Sequence, residues 1–181
     1  MLHVTATMSS EIDAIYIYDE HKFVFCCPYL FYAHVNLLLS SATLVEHVYR
    51  ARPPSASAIL PLYLGHVAPR PSLLYFSGTN PPVAVFSIIQ SNLLFLAIAE
   101  VDTEPLMALE FLHRVVDVLE GFVGAPLLSS KIQANYDVVA QLLHEICDAG
   151  TICNTELNSL QEAVEIPGWM GKLLGGISVP G

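Results

Sequence analysis

Three groups of residues carry side chains suited to chemistry, and each lacks a partner it would need. His144 and Glu145 begin like the HExxH pattern, in which two imidazoles one turn apart on a helix hold zinc and the glutamate acts as general base. Position 148 is Asp148, so a single imidazole would face the metal, and the expectation is a solvated helix face. Gly168, Gly171, Gly175 and Gly176 surround Lys172 in a run that superficially suggests a phosphate loop. The run lacks both the Walker spacing and the Ser or Thr after lysine that would bind magnesium. Cys26, Cys27, Cys147 and Cys153 contain no CxxC, and nothing in the sequence places an activating histidine beside any of them. Buried or bystander thiols are expected. No catalytic residue, no cofactor and no metal site is therefore predicted.

The chain that must position these residues is 181 residues long, 54% hydrophobic and 13% charged, with Gly 10 and Pro 12. That is enough apolar chain for one domain with a real core, and it is unlike a disordered tail. Lys+Arg 7 against Asp+Glu 17 gives a net charge of −10, and only Lys131 and Lys172 are basic after Arg114. No basic stripe exists to neutralise phosphates, which disfavours nucleic acid as a partner. The first twenty or so residues lack the positive start and apolar core of a secretion signal, and the thiol pattern suits a reducing compartment, so a cytoplasmic location is expected. One uncharged run, Phe23 to Val45, is long enough to span a bilayer, for which about 20 residues suffice. Pro28, His34, Asn36, Ser40, Ser41 and Thr43 within it argue against a span.

Ile12 to Tyr18 is dense in β-branched and aromatic residues and reads as a strand stopping at the polar Asp19-Glu20-His21-Lys22. Leu44 to Tyr49 reads as a second strand. A helix over Ala56 to His66 follows Pro53 and Pro54, with Pro61 weakening it. Leu73 to Phe76, Val83 to Gln90 and Leu93 to Glu100 form a three-stranded meander broken at Gly78 to Pro82 and at Ser91-Asn92. Leu109, Leu112, Val116, Leu119 and Val123 make one apolar helical stripe, and Phe111, Val115, Val118 and Phe122 make a second. A helix apolar on two faces lies between sheet and helix or lends one face to a partner. Its remaining face is Glu110, His113, Arg114, Asp117 and Glu120. A last helix opens at Ser130 with Gln133 in capping-box spacing and runs through Ile132, Tyr136, Val139, Leu143 and Ile146 to Gly150.

This order of elements resembles the longin-type fold. The stretches Glu104 to Val118 and Lys131 to Gly150 look like the amino-terminal domain of adaptor-complex medium (mu) chains. Asn154 to Leu157 and the tail Ile166 to Gly175 look most like the mu chain of adaptor protein complex three in its fungal form. The resemblance is specific over about residues 73 to 175 and fair over residues 10 to 21 and 44 to 66. It implies an α/β, longin-like architecture: a five-stranded antiparallel sheet with one helix on one face and two long helices on the other. The domain would occupy 1–150, with an atypical apolar insert at about 23–43. Residues 151–181 would start a linker to a carboxy-terminal cargo-binding module, which this sequence does not contain. In the family the first two strands are joined by a short turn, so a translated intron is the favoured reading of the insert. A lineage-specific apolar loop, a buried helix and a membrane span are the alternatives.

The resemblance also implies a non-catalytic subunit of a heterotetrameric vesicle-coat adaptor, serving transport from Golgi or endosome to vacuole. Its partners would be a large adaptor chain of the β type and the other adaptor subunits, and it would reach membranes only through the complex. A stand-alone longin-type regulator that binds a fusion protein or small GTPase is the alternative. Candidate partner-interface residues are Phe111, Val115 and Phe122 on the double-striped helix, and Trp169, the only tryptophan, in the apolar tail.

Overall fold

The computed structural model describes residues 11–23, 42–50 and 52–164. Among the described residues, seven strands, five α-helices and a 3-10 turn over Glu20–Phe23 follow in chain order. The strands are β1 (Ile12–Asp19), β2 (Thr43–Val48), β3 (Leu73–Phe76), β4 (Val83–Gln90), β5 (Leu93–Ala99), β6 (Cys147–Asp148) and β7 (Thr151–Ile152). The helices are α1 (Ala56–Leu64), α2 (Pro105–Val123), α3 (Ser129–Ala134), α4 (Tyr136–Ile146) and α5 (Leu157–Ala163). β1 to β5 form an antiparallel sheet in the order β2-β1-β5-β4-β3, and β6 pairs with β7 in a separate small hairpin. This is the expected α/β architecture, with α1 on one face and α2 and α4 on the other.

Every residue of β1 and β5 is buried. Alternation still sorts their side chains. Ile15 and Ile17 join Phe95 and Ala97 under α2 and α4, while Ala14, Tyr16 and Tyr18 join Leu94, Leu96 and Ile98 under α1. The two tyrosines could not be buried on apolar contacts alone. Tyr16 donates its hydroxyl to the Pro54 carbonyl at 2.7 Å and Tyr18 to the Ala56 carbonyl at 2.9 Å, so both are satisfied and both tie β1 to the start of α1. Glu46 on β2 accepts the Ala56 amide at 3.1 Å, placing a carboxylate at the helix N-terminus where the dipole favours it. Pro61 does not stop α1: a proline frees only the carbonyl four residues back, that of Ser57, which is exposed.

The β4–β5 hairpin turns on Ser91 (φ 51) and Asn92 (φ 62), a two-residue turn with both residues left-handed, which matches the strand twist. α2 starts on Pro105 with Glu104 accepting the Met107 amide at 2.7 Å and ends at Gly124. Both of its apolar stripes are used inside the domain.

Three expectations need correction. The last helix is broken at Asn135, whose backbone leaves the helical region (φ −122, ψ 30) and whose side chain, like its amide, donates to the Lys131 carbonyl. The Ser130–Gln133 capping box does not form, because the cap residue of α3 is Leu128, two residues before Ser130. α4 ends at Ile146, and the chain turns through Ala149 (φ 47) and Gly150 (φ 91) into β7. Further along, Leu160 and Val164 are buried in the cluster that α2 and α4 share.

The apolar insert falls mostly on residues 24–41 and lies outside the described residues. Its flanks pair directly, Tyr18 with Thr43 and Ile17 with Val45, and Ala42 is buried on the α1 side. Among the described residues no helix is long and apolar enough to cross a membrane.

Gly150 is the tightest backbone position. At φ +91 its Cβ would lie 2.9 Å from the Ile12 carbonyl oxygen and 2.7 Å from Arg50 Cδ. Gly150→Ala should destabilise the domain by about 2 kcal/mol, read as a lower denaturation midpoint in urea, because both backbone strain and contact with a main-chain oxygen resist relaxation. An unchanged midpoint would mean that the β6–β7 turn is not tied to β1.

Candidate functional site

The catalytic candidates are scattered. His144 sits on the exposed side of α4, where its ring faces His47 of β2 with centroids 6.3 Å apart, and Asp148 follows on β6. Among the described residues no group of three His, Cys, Asp or Glu side chains could hold a metal ion. Cys147 is buried, and desolvation pushes its thiol up to about 12, so it is not a nucleophile near neutrality. Cys153 is exposed and donates to the Thr151 carbonyl at 3.2 Å. Cys26, Cys27 and the glycine-rich run around Lys172 lie outside the described residues.

The partner-interface candidates are placed differently from the expectation. Phe111, Val115 and Phe122 are at most 3% exposed and belong to the core. α2 is covered on one side by the sheet and on the other by α4 and α5, so Val115 and Phe122 face the core, while Phe111 also lines the edge of a cavity on this helix. Trp169 lies outside the described residues. What α2 shows to solvent is the polar face read from the sequence: Glu110, His113, Arg114 and Asp117, with Glu110 and Arg114 paired at 3.0 Å. Leu106 at its start is 74% exposed.

Two cavities open on that face. One, of about 400 Å³, lies between α2 and the chain after β7 and is lined by Arg114, Asp117, Val118, Thr155, Glu156, Leu157 and Asn158. The other, of about 310 Å³, is lined by Met107, Glu110, Phe111, Arg114, Ile152, Thr155 and Glu156. Sequence reasoning missed them, because they depend on where residues 152–158 cross α2, which periodicity does not encode.

A charged cluster fastens the opposite end of β1. Arg50 contacts Asp13 at 2.8 Å and Glu100 at 2.6 Å, and also pairs with Glu11. A bulge between Ile12 and Ala14 sets Asp13 in this position, and its carbonyl accepts the Tyr49 and Arg50 amides. One guanidinium shared among these acids pulls weakly on any one of them. Burial, then the Glu100 carboxylate, raise Asp13 to about 6. Next to the cluster, Tyr49 is desolvated, and among the described residues its hydroxyl has no hydrogen-bond partner.

Comparison with known proteins places this chain. Residues 86–170 match the clathrin adaptor complex small chain family. The AP-3 complex subunit mu of Arabidopsis thaliana is 38% identical over 95 residues, which is 52% of this chain and 23% of that protein. The Schizosaccharomyces pombe subunit is 33% identical over 95 residues, 52% of this chain and 22% of that protein. Human AP-3 complex subunit mu-1 is 30% identical over 100 residues, 55% of this chain and 24% of that protein. Over about half of its length the chain is similar to AP-3 medium chains. The aligned part spans less than a quarter of each of these relatives. Among solved structures, a chain of a homology model of the full-length AP-3 complex in a stretched open conformation superposes with a TM-score of 0.53. It covers 90% of this chain and 92% of its own length at 13% identity, a likeness of fold. The family match takes in β5, the exposed face of α2 and both cavities.

Two measurements follow from the charged cluster. The raised pKa of Asp13 means that the folded state binds a proton more tightly than the unfolded chain. Stability from this group is full below its ordinary value of 3.8 and is lost as pH rises through about 6. Asp13→Asn, which cannot ionise, should therefore gain on the wild type between about pH 4 and pH 7 by about 2–3 kcal/mol in urea titrations. A pH-independent difference would show that Arg50 neutralises Asp13 fully. Tyr49→Phe should raise stability by about 1 kcal/mol, since it removes a buried hydroxyl without a partner; a loss would mean that the hydroxyl has a partner in solution.

Proposed function

We propose that this chain is a non-catalytic subunit of a heterotetrameric vesicle-coat adaptor of the AP-3 type, acting in transport from Golgi or endosome to vacuole. It is peripheral on those membranes and reaches them through its complex. The observation that carries this reading is the 30–38% identity to AP-3 mu subunits of plant, fission yeast and human over about half of the chain. The five-stranded sheet with helices on both faces supports it. The principal partner is a large adaptor chain of the β type. Residues 1–150 form the longin-type domain, and the linker toward a cargo-binding module begins in 151–181, beyond the buried Val164.

Co-expression with the amino-terminal trunk of an AP-3 β-type large chain should yield a stoichiometric complex, and the equivalent trunk of a clathrin-linked adaptor should yield less. Trp169→Ala should weaken the complex by about 2 kcal/mol if the tail docks on the large chain. A soluble monomer that ignores the trunk would overturn the reading and favour a stand-alone longin regulator.

The apolar insert is proposed to be dispensable for the fold, since Tyr18 pairs with Thr43 across it. Replacing residues 24–41 by a short Gly-Ser linker should leave the melting temperature unchanged and raise soluble yield. A fall in melting temperature would make the segment part of the core.

A further inference from the structure

We propose that the groove between α2 and residues 152–158 docks a basic peptide segment, rich in Lys or Arg and carrying one or two apolar side chains. The two cavities that form it, of about 400 and 310 Å³, adjoin through Arg114, Thr155 and Glu156, and each is the size of an ordinary ligand pocket.

The groove follows from how the chain after β7 is seated. Leu157 rests on Gly121, where a Cβ would come within 2.7 Å of Leu157 Cδ2, and Leu160 and Val164 are anchored in the core. The segment is thus held against the carboxy-terminal part of α2, and a channel stays open along the helix from Met107 to Val118. Met107, Ile152 and Leu157 give it apolar walls. Its charged rim is Glu110, Asp117 and Glu156 against Arg114, and Glu110 already takes Arg114 at 3.0 Å. Among the described residues no cation pairs with Asp117 or Glu156, both of which are exposed.

Two unpaired acids beside a channel of mixed lining, on a chain of net charge −10, favour a cation over an anionic ligand. A small cation would leave the apolar walls unused. A peptide that sets a leucine or similar side chain into the channel and lysines on the rim satisfies both features. The proposal rests on the reading of this chain as a binding module. Its test uses no large chain, so the two can fail separately.

The probe is a fluorescent Lys-rich nonapeptide with a central Leu, titrated by anisotropy into the full-length chain beside a counterpart with Glu in place of Lys. The Lys peptide should bind and the Glu peptide should not, with amide chemical shifts moving in 107–118 and 152–158. Asp117→Lys with Glu156→Lys should weaken binding about tenfold. Asp137→Lys with Glu145→Lys, the same charge change on α4, should alter it less than about twofold. Equal losses from the two pairs would show general attraction to an acidic chain and overturn the proposal, as would shifts confined to other surfaces. Concentration-dependent dimerisation abolished by the groove pair would also overturn it, by making a second copy the occupant.

Discussion

β1 lies between β2 and β5 with all eight residues buried, and a strand in that position needs an apolar cover on each face. The rest of the architecture answers that need. On one face α1 supplies Ala56, Ile59, Leu60 and Tyr63; on the other, α2 and α4 supply Leu112, Val115, Leu119, Val139 and Leu143. The tyrosine hydroxyls carried inward with β1 are satisfied by main chain: Tyr16 and Tyr18 bond to carbonyls at the start of α1. These bonds are directional, so they fix where α1 begins as well as that it packs.

The same demand settles what α2 is for. Its two apolar stripes meet the sheet on one side and α4 and α5 on the other, so Phe111, Val115 and Phe122 work inside the domain. Helix packing of this kind leaves a partner only the polar face and the rims where covering elements end. On α2 that rim is where Leu157 meets Gly121, short of Arg114 and Met107, and both cavities lie there. The recognition surface is a by-product of incomplete cover.

The strands were legible because both cues agreed. Leu73 to Phe76 and Val83 to Gln90 are bounded by turn residues and match the observed limits, and Ser91-Asn92 forms the expected two-residue turn. α2 was legible from its period, and its exposed face of Glu110, Arg114 and Asp117 was read correctly. The break at Asn135 was not legible: the apolar period of Ile132, Val139 and Leu143 continues across it, and only the backbone of Asn135 (φ −122, ψ 30) leaves the helical region. Nor did two stripes reveal whether one faced a partner, since a short helix such as α5, with Leu160 and Val164 as its anchors, carries too weak a pattern to announce that it covers α2. The Arg50 cluster depends on a bulge at Asp13 and on partners 37 and 50 residues away, beyond any local pattern.

The few basic residues explain why the exposed surface stays acidic. Arg50 is shared by Glu11, Asp13 and Glu100. Arg70 donates to the Tyr63 and Leu64 carbonyls at the end of α1 and lies 5.3 Å from the Tyr63 ring centroid. Lys131 donates to the Gly124 and Pro126 carbonyls where α2 ends, and Arg114 is held by Glu110. Four of the seven Lys and Arg residues are thus fasteners within the fold, two of them on carbonyls at helix ends, where cations belong. The carboxylates outnumber them, 17 to 7, and acids such as Asp117, Asp137, Glu145 and Glu156 face water. With four of the seven cations already engaged inside the fold or by a neighbouring acid, little positive charge is left to offset these exposed carboxylates.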